Sequence, residues 1–221
     1  MGSYGPQRTS KEFLIASLVN NILGQFGMMG RIGEAVREKS GLAYYASTAL
    51  NAWQMAGTWE ITAGVNPSNI EKTIEIIQKE ISRFVSEPVS DQELADSKSN
   101  LIGLIPLSIE SNAGVANAII RIERYKLGLN YLREYPGMIS GISKEQILQV
   151  SQKYFDPKHL VIISAGTCGF MWRNGGDIIE IERLENVSPE IRARFINRVY
   201  TESEKEICGN NYACFAGRFA A

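Results

Sequence analysis

Histidine is nearly absent from this chain: His159 is the only one in 221 residues. A catalytic zinc site needs three protein ligands and an open position. Neither HExxH nor HxxEH occurs in the sequence. The composition therefore argues against a zinc centre held by this chain alone. It also argues against a Ser-His or Cys-His nucleophile, because no GxSxG elbow is present and no serine is tied to His159. Beside Pro157, at the mouth of an apolar run, His159 reads as a structural residue. Cysteine is scarce too. Cys168, Cys208 and Cys214 all fall in the last quarter. An odd three is no disulfide framework, which points to free thiols in a reducing, cytoplasmic setting. A Cys208–Cys214 bridge stays open at this stage. Their spacing is too wide for half a zinc knuckle.

Excess charge is missing as well. The formal net charge is −1, so nothing suggests a sequence-wide nucleic-acid surface. No apolar run approaches the roughly 20 residues of a membrane span. The opening MGSYGPQRTS has no apolar signal core, and Pro6 breaks the myristoylation pattern. MGS reads as a cloning leader ahead of a fragment that starts mid-protein. What is present is ordinary: 44% hydrophobic residues, enough for one sizeable core. The length suits one generous domain, or a domain of roughly 150 residues with an appendage.

Along the chain, Thr9 or Ser10 can cap a first helix that runs to about Leu23. Glycines then recur at 24, 27, 30 and 33. The spacing is wrong for a phosphate cradle, so a flexible loop is expected. A second helix follows from about Gly30 to Lys39 and closes at Gly41. Leu42–Leu50 and Thr58–Val65 read as an antiparallel hairpin, with Trp59, Ile61, Ala63 and Val65 on one face. Asn66–Pro67 opens the clearest amphipathic helix, with Ile70, Ile74, Ile77, Ile81 and Phe84 in its stripe. Ser90 with Glu93, and Ser143 with Gln146, are capping boxes. The Ser90 helix is expected to stop near Ile105, before Pro106. Further helices are predicted at about 112–127, 131–139 and 144–154, then a strand at 159–165. Strands near both ends of a helix-rich stretch predict an α+β fold, a sheet with helices stacked on one face. After Gly166 the character changes: a strand is expected at Ile178–Leu184 and a helix at about 188–204.

Two carboxylate pairs, Glu34/Glu38 and Glu71/Glu75, lie one turn apart beside basic residues and read as solvated faces. Arg37 and Tyr44, on either side of Gly41, are more interesting. Both can donate hydrogen bonds to a carbonyl oxygen, and such donors stabilise charge that builds there during attack. The plain alternatives are that Arg37 complements a helix C-terminus and Tyr44 packs in a strand.

The run GRIGEAVREKSGLAYYAST resembles the signature of the C-terminal half-domain of insulinase-like, pitrilysin-type (M16) zinc peptidases. Arg37, Gly41, Leu42, Ala43 and Tyr44 match its Arg-x-x-x-x-Gly-Leu-(Ala/Gly)-Tyr. GPQRTS resembles the Gly-Pro-x-Arg-Thr that precedes the family's first helix. The hairpin and the later KEQILQVSQKYFDPKHLVIISAG follow the family's order. The resemblance spans about residues 5–166 and implies an α+β half-domain with an antiparallel-rich mixed sheet. It implies no metal in this chain and zinc in a partner half-domain or subunit bearing HxxEH. It further implies an unfolded peptide substrate, with Arg37 and Tyr44 as carbonyl and oxyanion donors acting in trans. A second copy of the fragment is another candidate partner; nucleic acid and membrane are not. The alternative is a non-catalytic scaffold of the same family. Two features depart from the family pattern. The family's first strand should precede GPQRTS, where only MGSY stands. Residues 167–221 match no family feature. Ile178–Leu184 is therefore expected to fill the vacant strand position, either in its own sheet or in a neighbour's.

Overall fold

The structure, a computed structural model, describes residues 1–26, 30–166, 169–174 and 177–181, with the backbone alone from Ala165 onward. Its elements are β1 (Gly2–Gly5), α1 (Phe13–Gly24), α2 (Gly30–Gly33), β2 (Ala43–Ala52), β3 (Gly57–Val65), α3 (Ile70–Ser86), α4 (Asp91–Ser108), α5 (Asn112–Arg124), α6 (Tyr131–Ser140), α7 (Lys144–Tyr154), β4 (Val161–Gly166), β5 (Gly169–Asn174) and β6 (Asp177–Ile181). The sheet order is β2-β3-β1-β4-β5-β6, and every pairing among the described strands is antiparallel.

The β2–β3 hairpin alternates as its sequence requires. Trp59 and Ile61 are buried, while Glu60 and Thr62 face out. Ala46 and Thr48 lie opposite Ala63 and Ile61 on the inner face. Against that face packs α1, whose Leu18, Val19, Ile22 and Leu23 are buried with Ile77, Ile81 and Phe84 of α3 in one core. The α3 stripe is therefore covered. The helix is preceded by a 3₁₀ turn, where the Asn66 side chain accepts from the Ser68 N–H at 3.1 Å. Both capping boxes form. The α+β architecture, with helices on one face of an antiparallel sheet, is thus the one the sequence predicts.

Two polar residues in the middle of α1 escaped a reading based on apolar periodicity. Asn20 is buried and accepts a hydrogen bond from the Trp59 indole at 3.0 Å, while its carbonyl accepts from the Thr48 hydroxyl at 3.2 Å. The Asn21 amide donates to Asn100 of α4 at 2.9 Å. These bonds pair the Asn20 side chain and the Asn21 amide nitrogen, groups costly to bury alone, and they fix α1 against both the sheet and α4. Gly24 also has a reason beyond ending the helix. A Cβ there would fall 2.3 Å from the Thr48 hydroxyl.

Three expectations are corrected. First, the strand expected before GPQRTS is present. Gly2–Gly5 pairs with β3 on one side and meets β4 at Gly2↔Val161 on the other. Met1–Ser3 is thus held at the sheet, tied in further by the Met1 ammonium donating to the Ile61 carbonyl at 2.8 Å. Second, Asp177–Ile181 forms β6 beside β5 at the far edge, because β1 already fills the central position. Residues 182–184 and the helix expected at 188–204 lie outside the described residues, as do Cys168, Cys208 and Cys214. Third, α4 continues through Pro106 to Ser108. Pro106 sits one turn from the helix end, where the missing N–H costs a single bond.

Arg8 of the GPQRTS run has a structural task. Its guanidinium lies 4.2 Å from the Phe13 ring centroid and 5.4 Å from that of Tyr131, and donates to the Tyr131 hydroxyl at 3.0 Å. This cation–π cluster ties the start of α6 to the β1–α1 corner.

Candidate functional site

The helix that carries Arg37 begins as α2 and widens into a π-helical turn over Glu34–Glu38. Ile32 and Val36 are fully buried and hold it to the core. Its start is pressed against the end of α1. Gly30 has φ +63°, and a Cβ there would fall 2.5 Å from the Gly24 nitrogen. Only glycine meets both demands.

Arg31 locks the outer side of this helix. Its guanidinium donates twice to Glu93 of α4, at 2.6 and 2.7 Å, and lies 3.9 Å from Glu80 of α3. It also stacks over Phe84, 5.0 Å from the ring centroid. The Arg31 hydrogen bonds, helped by the Ser90 cap, hold the Glu93 carboxyl below its ordinary pKa despite partial burial. Sequence reading assigned Glu93 to the capping box and missed this clamp. Glu93 does both jobs, and periodicity carries no signal for the second.

The turn after Arg37 is closed by four hydrogen bonds. The Lys39 N–H donates to the Glu34 carbonyl at 2.8 Å, and the Ser40 hydroxyl to that of Ala35 at 2.7 Å. The Leu42 N–H donates to the Val36 carbonyl at 3.0 Å, and the Gly41 N–H to that of Arg37 at 3.0 Å. The carbonyls from 34 to 37 are thus all bonded, which covers most of the groups a helix end leaves free. Gly41 has φ +61° and open space around it, so backbone conformation rather than room demands glycine here.

The strand that follows contains a bulge. Ala43 pairs with Val65 and Tyr45 with Gly64, so Tyr44 is the extra residue. A bulge re-aims a side chain. Here it places both Tyr44 and Tyr45 on the exposed side. Tyr45 covers Gly64, where a Cβ would fall 2.5 Å from its ring. Tyr44 projects free, 86% exposed, with no hydrogen-bond partner for its hydroxyl among the described residues. Arg37 is one-third exposed, and its nearest anion is Glu38 at 3.8 Å. The structure therefore holds the backbone on both sides of Gly41 rigidly and leaves the donors of Arg37 and Tyr44 largely unspent.

The other candidates are quieter. Glu34 pairs with Lys39 at 2.9 Å, and Glu71 and Glu75 sit on the exposed side of α3. His159 lies in a 3₁₀ turn, largely exposed, 3.3 Å from Asp156. Among the described residues no group of three His, Cys, Asp or Glu is placed to hold a metal ion, so the donor set does not fit zinc. Among them, too, no helix is long and apolar enough to cross a membrane.

This arrangement, an α+β half-domain with a helix–turn–bulge site and no metal cluster in the described part, has relatives. Residues 3–101 match the family model described as the peptidase M16 inactive domain. Over that stretch the chain is similar to the inactive domains of M16 peptidases. The chain is 28% identical over 123 residues to an uncharacterized zinc protease of Streptomyces coelicolor, covering 56% of this chain and 27% of that one. A solved M16 inactive domain from Pseudomonas fluorescens superposes with a TM-score of 0.63 at 27% identity, covering 69% of this chain and 36% of that one. The chain thus spans about a third or less of these M16 relatives. A different likeness accompanies them. Over 50 residues the chain is 44% identical to a holo-[acyl-carrier-protein] synthase of Halothermothrix orenii, covering 21% of this chain and 40% of that one.

Proposed function

We propose that this domain is the non-zinc half of an M16-type metallopeptidase, inactive alone. In this reading it holds an extended peptide and completes a site whose zinc belongs to another half-domain or subunit. Arg37 and Tyr44 donate hydrogen bonds to the scissile carbonyl oxygen as negative charge builds on it. The observation that carries this reading is the pair's setting. Two donors stand on a rigidly closed turn and a bulge, Tyr44 exposed and Arg37 partly so, both nearly unpartnered, in a domain whose described part lacks the ligands for a metal of its own.

The test mixes the full chain with the Streptomyces coelicolor zinc protease expressed without its matched stretch, and follows cleavage of an unfolded peptide. Cleavage is expected only in the mixture. Arg37→Ala or Tyr44→Phe should each lower kcat by about 10²–10³ without unfolding the domain, as for a lost oxyanion donor. A mixture that never cleaves, or variants that cleave like the parent, would sink the reading. The second outcome would favour the scaffold alternative, to which the name of the family's inactive domain also lends support.

The holo-[acyl-carrier-protein] synthase likeness suggests a further division of the chain. Residues 167–221 form a stretch long enough for it outside the M16 match. We assign the likeness to that stretch and no activity to it, since it spans under half of that enzyme. Removing residues 182–221 should then leave the thermal unfolding of the remaining domain unchanged; a large loss would show that the two parts fold as one.

A further inference from the structure

Helix α5 is too poorly covered to account for its own order. An isolated helix of 13 residues is marginal in water, and in proteins such helices are held by packing of an apolar face. Within α5 only Ala118 is buried. Val115, Ile119 and Ile120 are 41%, 60% and 59% exposed. Its principal neighbour is α4, whose last turns leave Leu104 and Leu107 exposed as well. None of these five residues belongs to the core or packs at its margin.

The two helices nevertheless meet at a tight, well-made corner. Ser111 caps α5 by accepting from the Gly114 N–H at 3.0 Å. A Cβ on Gly114 would fall 2.2 Å from the Ser108 carbonyl oxygen, so the corner requires glycine. The result is an ordered helical pair that carries an apolar side outward. Soluble monomers rarely expose clustered apolar side chains without an interaction to serve.

We propose that this α4–α5 face docks against the remainder of an M16 zinc protease, the half proposed above to carry the metal. The inference rests on that half-domain reading. The relatives supply the argument for this occupant. Those named above continue well beyond the matched region, with 27% and 36% of their lengths covered, so in them the equivalent domain has further polypeptide to pack against. Val115, Ile119 and Ile120 supply the apolar anchors on α5, and Leu104 and Leu107 extend them along α4.

The test uses the full chain and, as probe, the Streptomyces coelicolor zinc protease lacking its matched stretch. Binding is measured by calorimetry and sedimentation. The parent chain should bind the probe. Ile119→Asp combined with Ile120→Asp should weaken binding at least a hundredfold, with an unchanged far-ultraviolet circular dichroism spectrum, because both side chains are already exposed. Glu71→Gln, on the exposed side of α3, should bind like the parent. No binding by the parent, or binding indifferent to the aspartates, would overturn the proposal. So would self-association of the parent that the aspartates abolish, which would make a second copy the occupant. Binding that depends on Ile119 and Ile120 in a mixture that never cleaves would uphold this face and defeat the catalytic reading instead.

Discussion

Helices α3 and α5 are both amphipathic, both well bounded and only 25 residues apart from the end of one to the start of the other when counted across α4, yet they have opposite fates. The stripe on α3 disappears into the core: Ile77, Ile81 and Phe84 are all but inaccessible. The stripe on α5 stays outside, with Ala118 alone buried. Amphipathicity shows that a helix has a side to hide. It does not show whether the hiding place lies in the same chain. The comparison separates what holds this domain together from what it offers to something else.

The strongest way to break the comparison is to cut into the covered stripe. Phe84→Ala should cost about 3–5 kcal/mol of stability, since it opens a cavity and removes the ring beneath Arg31. Urea unfolding would measure it, and a loss under 1 kcal/mol would contradict the packing. Next comes the clamp that joins the site helix to α3 and α4. Glu93→Gln should cost about 1–3 kcal/mol at neutral pH through weakened charge-assisted bonds. The folded pKa of Glu93 lies below its ordinary 4.5. Its contribution is therefore complete above the ordinary value and is lost as pH falls through the folded one. The parent should lose more stability than the variant between pH 6 and pH 3, and parallel losses would refute the clamp. Gly41→Ala should cost about 1–2 kcal/mol from the left-handed backbone alone, because no neighbour crowds it. Smallest of all, Ile119→Ala should change the stability of the isolated chain by no more than about 0.5 kcal/mol. A larger loss would mean that α5 is covered after all.

Sequence periodicity made most of the fold legible. The α3 stripe, the alternation in β3 and both capping boxes follow from local rules, and all form as expected. The failures are non-local. MGSY is too short to announce a strand, yet Gly2–Gly5 is held along its length by β3 and at Gly2 by β4. Asn20 and Asn21 look out of place in an apolar helix until Trp59 and Asn100 are brought beside them. At the candidate site, Gly41 and the positions of Arg37 and Tyr44 could be read from spacing and family resemblance. The bulge that turns Tyr44 outward could not, because it depends on the register with β3. The Arg31–Glu93 pair spans 62 residues and was likewise invisible to local pattern.

The position of β1 has a consequence for how the chain acquires its structure. Gly2, its first residue, meets Glu60 on one side and Val161 on the other. The centre of the sheet is thus built from a strand that precedes the β2–β3 hairpin in the chain, but its second neighbour arrives near the end of the described domain. Contacts of such sequence separation slow folding, because the chain entropy of closure is lost before the pairing is gained. Until Val161 emerges, the nascent hairpin of β2 and β3 can recruit β1 but must leave one side of it open. An unpaired strand edge of that kind is a target for aggregation and chaperones alike. Closure of this sheet on its β4 side therefore waits for a segment far along the chain.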